Sequence, residues 1–336
     1  MLPNGAERLL EIGSGYRRAK VLLAAVELDL FSVLACKALD APGLASRLGI
    51  NTRGARDFFD ALVALQLLSR DCDGLYHNAP DCEQYLDKAK PTYLGASFQQ
   101  YNRREYALWG SLTDALRTGK PPVELEGKDH FKSLYEDPAR FRTFVDAMTS
   151  GSLLAAQGIA DQFPWNEFSS FCDIGTAQGC LPVQVARTHP HLRGIGFDLA
   201  PLQGAFEAYV RQAGFDDRLR FTSGDFFKDR LPAADVLVFG RVLHNWDLKT
   251  KKMLLEKAYQ AVSVGGAVVI YDMLIDDNRC ADATGLLSSL NMLVWTANGF
   301  GYTAADCMSW MTEAGFAATR VERLPGGNSM IVARRG

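Results

Sequence analysis

No apolar run in this chain approaches the roughly 20 residues that a helix needs to span a bilayer. The opening MLPNGAERLLEIG lacks the cationic stretch and apolar core of a secretory signal. Charge of one sign is also in short supply. The formal net charge is −3, so no cationic field draws the protein to nucleic acid or to an anionic membrane. The 7 cysteines are odd in number, scattered and without a CxxC pair. That argues against a disulfide or zinc framework and for reduced thiols in a cytoplasmic protein. No internal repeat or low-complexity tract is visible. What is plentiful is apolar residues, 48% against 22% charged over 336 residues, the composition of a globular chain long enough for more than one domain.

Three divisions are expected: a helical unit over 1–100, a helical connection over 101–165 and an α/β unit over 166–336. In 16–34, Val21, Leu22, Ala25, Val26, Leu28, Phe31 and Leu34 recur at helical spacing with few charges between them, which suits burial against a partner. The stretch APGLASRLGINTRGARDFFDALVALQLLSRDCDGLYHN then reads as a short helix, a turn at 49–51, a longer helix over 52–68 and a strand-like tip. That is a winged-helix pattern. Such a unit can read DNA or serve as a packing and dimerisation module. Arg53 and Arg56 are offset by Asp57 and Asp60, whereas groove binding needs clustered cations, so packing is the preferred reading.

Helical stretches continue over 94–118 and 139–161, joined by GKPPVELEGKDH (119–130). From Phe171 the period changes. Apolar runs at 171–175, 194–199, 219–225, 235–240 and 267–273 alternate with helical stretches, predicting a doubly wound, mostly parallel α/β sheet. ATRVERL and NSMIVARR flank Pro325, Gly326 and Gly327, a hairpin signal that makes the last strand antiparallel.

The segment FCDIGTAQG (171–179) ends a strand in an acid, turns through glycine and enters a helix; a second strand then ends in Asp198. This is one βαβ unit with both carboxylates at strand ends, where open α/β sheets bind ligands. A dinucleotide site needs further glycines for a pyrophosphate, but only Gly175 and Gly179 are present. Asp173 would repel a phosphate and attract an amino group. S-adenosylmethionine, which has an ammonium, a ribose and an adenine but no phosphate, suits these positions. Asp198 would accept from the ribose hydroxyls, Asp225 of GDFF would meet the adenine amino group, and Phe226 would lie against the ring.

The order DIGTAQG (173–179), GFDLA (196–200), GDFF (224–227), RVLHNWD (241–247), GGAVVIYD (265–272) and YTAADCMSWMTEAGF (302–316) resembles the class I S-adenosylmethionine-dependent O-methyltransferases. The similarity is to the caffeate/hydroxyindole (acetylserotonin) type in its bacterial natural-product branch, and it covers nearly the whole chain. The resemblance implies a Rossmann-like sheet preceded by a mainly α winged-helix dimerisation domain, and a homodimer formed through the N-terminal helices. It implies cofactor contacts from Ser152, Leu199, Gly224 and Arg241 beside those above, and an acceptor contact from Met148. A lysine or serine that the family places near the adenine falls at Gly240.

His244 leaves the fourth strand of the α/β unit at the ligand-binding edge and matches the family's catalytic histidine. An ordinary imidazole, with pKa about 6.5, can take a phenolic proton at physiological pH. Asp272 stands where the family has a glutamate that orients this histidine; a second family acid falls at Gly301. GLLSSLNMLVWTANGF (285–300) is expected to form a helix over the cleft, with Asn291, Met292 and Trp295 lining an apolar acceptor pocket. His77, His130, His189 and His191 read as surface residues.

These readings give O-methyl transfer to a small aromatic acceptor. Transfer to the carbon of an α-keto acid or activated ring is the alternative. Some relatives do this with a ferric ion held by two histidines, but the second ligand position falls at Trp295, so no metal is expected. A winged-helix regulator sensing S-adenosylmethionine without turnover is a third reading, and nicotinamide-dependent reduction a fourth that the missing glycine disfavours.

Overall fold

A computed structural model describes residues 5–122 and 137–336; most of the 119–130 connection, with His130, lies outside them. The chain divides into two compact units, Met1–Ala107 and Leu108–Gly336.

In the first unit a long helix, Gly5–Glu27, precedes Leu30–Cys36, Ala41–Leu48 and Thr52–Ala64 and a two-stranded ribbon, β1 (Leu68–Arg70) and β2 (Tyr76–Asn78). Asp40 accepts from the Gly43 amide and Asn51 from the Arg53 amide, capping the third and fourth helices. Each cap contributes about 1 kcal/mol. Gly49 ends the third helix in the left-handed region at φ 65. The fourth helix stops at Ala64 rather than running to 68, because Gln66 turns left-handed at φ 60 and the chain becomes β1. Phe31, Leu44, Phe59, Leu62 and Tyr76 form the core. Asp60 is held by both the Tyr76 hydroxyl and Arg70, at 2.6 Å each.

The helical stretch expected over 94–118 is interrupted. It runs without a gap through Gly95–Gln100, a π-helical segment Tyr101–Glu105 and Tyr106–Trp109, breaks at Gly110 and Ser111, and resumes as Leu112–Thr118. The next helix, Pro138–Gln162, leads into the sheet.

The second unit carries seven strands: β3 (Ser170–Ile174), β4 (Arg193–Asp198), β5 (Leu219–Ser223), β6 (Ala234–Gly240), β7 (Val262–Asp272), β8 (Ala317–Arg323) and β9 (Ser329–Arg334). Their order is β5-β4-β3-β6-β7-β9-β8. β3 to β7 pair parallel, and β9 runs antiparallel between β7 and β8. Both faces of the central strands are covered. Phe171, Val236, Leu237, Phe239 and Val268 have no exposed surface, each contributing roughly 1.5–3 kcal/mol of burial. β7 begins at Val262, earlier than its apolar run suggests, because Gly265 at φ +77 accommodates a register shift opposite β6.

Candidate active site

The chain builds β3, β4 and β5 outward on one side and β6 and β7 on the other. The strand order reverses between β3 and β6, and the crevice at their carboxyl ends is the usual ligand position of such a sheet. The loops that follow β3 to β7 therefore bring Asp173, Asp198, Asp225, His244 and Asp272 to one edge.

Asp173 sits within β3 between Gly196 and Val238 and is 5% exposed. Burial pushes its carboxyl up to about 7; Asp198 adds repulsion and the Thr176 hydroxyl opposes both. No cation pairs with it among the described residues. A buried acid of this kind is short of a positive partner. Gly175 and Gly179 make the turn beyond it at φ +75 and +92. A Cβ would stand 2.8 Å from Val242 at the first and 2.8 Å from Phe206 at the second. Only glycine fits either position.

Asp198 closes the next strand. Its Oδ2 accepts from the Ala177 amide at 2.9 Å and Oδ1 from Leu199 at 2.8 Å. These bonds lower its pKa, but burial outweighs them and the net shift is upward. Gly224 donates its amide to the Asp198 carbonyl at 2.9 Å, drawing the GDFF turn alongside. Asp225 is the converse case. Burial would raise it, but the Phe227 amide and the Lys228 ammonium at 3.0 Å hold it below the usual carboxylate range. The Phe226 ring stands edge-on to Trp246, 5.9 Å between centroids.

Met148 and Ser152 lie one turn apart on the helix Pro138–Gln162, a spacing that puts them on one face. Ser152 lies near enough to the Tyr271 hydroxyl to lower its pKa slightly against the strong upward push of burial. Tyr271 occupies the space beside Gly240, where a Cβ would come within 2.2 Å of its ring. The lysine or serine of the family has no room here, and a buried tyrosine from β7 fills the place. Arg241 follows with φ 56, a left-handed conformation uncommon for a bulky residue, its amide donating to the Tyr271 carbonyl at 2.9 Å.

His244 lies in a short turn, Leu243–Asn245, at the end of β6. Its Nδ1 meets Asp272 Oδ1 at 2.5 Å, so the shorter acid reaches the imidazole. Asp272 is 3% exposed. Burial would raise its pKa, but His244, Arg241 and the Tyr302 hydroxyl outweigh this and hold it down. A carboxylate accepting at Nδ1 makes that nitrogen the N–H and leaves the Nε2 lone pair available. Gly301 brings no second acid. Its amide donates to Ser289 Oγ at 3.0 Å, and the next residue, Tyr302, donates its hydroxyl to Asp272 Oδ2 at 3.0 Å.

On the helix Ala283–Trp295, Asn291 accepts from the Trp109 indole at 2.8 Å, Met292 is 6% exposed, and Trp295 packs with Leu108, Ala115 and Val294. Of the remaining histidines, His189 is half-buried with Nε2 2.7 Å from the Ala160 carbonyl, and His77 pairs with Asp71 at 2.8 Å. His191 is exposed, its Nε2 3.3 Å from the Trp165 carbonyl. The surface reading holds for His191 and not for His189, which bridges two elements.

Two contributors escaped the sequence reading: Tyr302, whose role depends on a loop return, and Lys251. The latter had a signal, since 251, 254, 255 and 258 share one helical face and Leu254, Leu255 and Ala258 are buried.

An O-methyltransferase domain matches residues 109–317, and an O-methyltransferase dimerisation domain matches residues 10–88. The chain is 40% identical over 331 residues to the tetracenomycin polyketide synthesis 8-O-methyl transferase TcmO of Streptomyces glaucescens, covering 98% of this chain and 97% of that protein. It is 36% identical to the N,N-dimethyltransferase OxyT of Streptomyces rimosus, over 98% of this chain and 96% of the relative. The crystal structure of human N-acetylserotonin methyltransferase in complex with S-adenosylmethionine superposes with a TM-score of 0.91 at 28% identity, covering 100% of this chain and 99% of that one. No helix among the described residues is long and apolar enough to cross a membrane.

Proposed function

Because the chain belongs to the O-methyltransferase family, we propose that it moves the methyl group of S-adenosylmethionine to a hydroxyl of a small aromatic natural product, with His244 as general base. The observation that carries this reading is the buried His244–Asp272 pair at 2.5 Å. Transfer to a hydroxyl requires removal of a proton, and the pair presents an oriented imidazole at the ligand edge of the sheet.

The cofactor supplies a methyl group already activated on a sulfonium. The crevice suits it on structural grounds: Asp173 is a buried acid in need of a cation, and the turn at Gly175 and Gly179 is too close for side chains. Asp173 would hold the ammonium, Asp198 beside Leu199 the ribose hydroxyls, and Asp225 and Phe226 beside Gly224 the adenine. Ser152 and Arg241 would complete that side, Arg241 being tied by its amide to the Tyr271 carbonyl. Met148, Asn291, Met292 and Trp295 would shape the acceptor side, with Asn291 fixed by Trp109. Asp272 sets the tautomer, Nε2 of His244 takes the acceptor proton, and the forming imidazolium is stabilised by the carboxylate.

A polyketide hydroxyl is the acceptor class that the similarity to TcmO favours. A homodimer is supported by the dimerisation domain and by Leu9, Leu10 and Ile12, each at least 64% exposed on the first helix. The scattered free cysteines suit a reducing cytoplasm. The test is His244→Ala: turnover should fall by about 10²–10⁴-fold while the affinity for S-adenosylhomocysteine stays within error. Unchanged turnover would exclude the base role.

A further inference from the structure

Lys251 is wholly buried, with 0% of its surface exposed. It lies in the first turn of the helix Leu248–Ala261, whose N-cap is Asp247. A cation there opposes the helix dipole, and burying it costs solvation. No carboxylate pairs with it within ion-pair distance among the described residues. What it does have is two carbonyls and an aromatic face. Nζ donates to the Trp246 carbonyl at 2.7 Å and the Phe300 carbonyl at 3.0 Å, and lies 3.1 Å from the centre of the Phe300 ring.

Those carbonyls belong to two loops that meet at the base. Trp246 is two residues beyond His244. Phe300 follows Gly299, which packs against the His244 carbonyl so closely that a Cβ would stand 2.6 Å from it. Two residues beyond Phe300, Tyr302 grips Asp272. The ammonium thus ties the loop carrying His244 to the loop carrying the partner of Asp272.

We infer that Lys251 is a positioning residue for His244, locking these two loops together so that the imidazole and Asp272 keep their mutual geometry. The inference rests on the general-base reading of His244. The charged groups facing Lys251 are Asp247 on its own helix and Asp272 on β7, the latter paired with His244; Cys307 and Tyr302 face it uncharged, their pKa values pushed up by burial. Burial lowers Lys251 itself to about 7 against the pull of Asp272 and Asp247. Its charge-assisted hold on the two carbonyls is therefore strongest on the acidic side and weakens as pH rises through about 7.

The experiment compares wild type, Lys251→Met and His244→Ala in kcat and KM between about pH 6 and about pH 9, with S-adenosylhomocysteine binding measured by calorimetry. Lys251→Met should bind S-adenosylhomocysteine as wild type does and lose about 10- to 100-fold in kcat, with the larger loss at the acidic end. Wild-type kcat in Lys251→Met, or a loss uniform across pH and matched by an equal loss of affinity, overturns the positioning role. If Lys251→Met does not fold, Phe300→Leu keeps the ammonium and removes the ring; it should lower kcat several-fold at constant affinity, and wild-type kcat there also overturns the role. Full turnover in His244→Ala instead sinks the base reading itself. An inactive His244→Ala beside an unimpaired Lys251→Met removes only the role of the lysine.

Discussion

Tyr302 donates its hydroxyl to Oδ2 of Asp272 at 3.0 Å, the oxygen that His244 leaves free. The carboxylate is thereby held at both ends, by an imidazole from the loop after β6 and by a phenol from a loop more than fifty residues later. Both side chains are buried, so neither contact competes with bulk water.

Removing the phenol hydroxyl isolates this contribution. Tyr302→Phe leaves a buried carboxylate oxygen without its donor, which should cost about 1–3 kcal/mol of stability and reduce kcat by a smaller factor than loss of the base. Thermal unfolding and steady-state kinetics on the same preparation check both.

Asp272→Asn should be more damaging to turnover than to folding. An amide can donate to Nδ1, which places the imidazole hydrogen on Nε2 and occupies the site that must take the acceptor proton. The expected loss in kcat is about 10²–10⁴-fold with cofactor affinity retained. In the wild type the depressed Asp272 pKa favours the fold at neutral pH. That contribution fades as pH falls below the ordinary carboxylate range toward the depressed value, which acid unfolding of the two proteins should show.

Asp173 gives a pH dependence of opposite sign. Its carboxyl is raised to about 7, so the ligand-free fold holds that proton more tightly than the unfolded chain. Its contribution to ligand-free stability therefore falls as pH rises from about 4 toward about 7. An ammonium partner needs the ionised form. Binding of S-adenosylmethionine below about pH 7 should release a proton and weaken by up to about tenfold per pH unit. Calorimetry in two buffers of different ionisation enthalpy reads the proton directly, and Asp173→Asn should abolish its release.

Gly240→Ala should destabilise the protein, since the added methyl would meet the Tyr271 ring at 2.2 Å and overpacking of this kind costs about 1–3 kcal/mol. Tyr271→Val in the same chain opens that space. The double variant should be more stable than the sum of the single changes predicts, a coupling that a double-mutant cycle measures.

The central parallel strands are legible in the sequence because they are buried on both faces and so read as nearly unbroken apolar runs, DVLVFG and AVVIYD most plainly, whereas the edge strand LRFTS is half-exposed. The acids at their ends are legible because a carboxylate closing such a run has few structural uses. Local patterns fail where a distant segment decides. Lys251 shares a face with Leu254, Leu255 and Ala258, so its burial is legible, but its partners at Trp246 and Phe300 are not. The space beside Gly240 looks empty until Tyr271 on the neighbouring strand fills it. The π-helical segment Tyr101–Glu105 has no local signal, since YNRRE reads as ordinary helix, whereas the break that follows falls at Gly110.

β9 is inserted between β7 and β8, so the strand that ends in Asp272 gains its second neighbour only from residues 329–334. On the ribosome, a nascent chain halted before those residues exposes one side of β7 as an unpaired ladder edge, a template for misassociation. The same holds for a chain clipped by a protease within the 324–328 turn and stripped of its tail. Activity should vanish in such species, because the backbone that supports the carboxylate partner of the imidazole has lost half its lateral bonding.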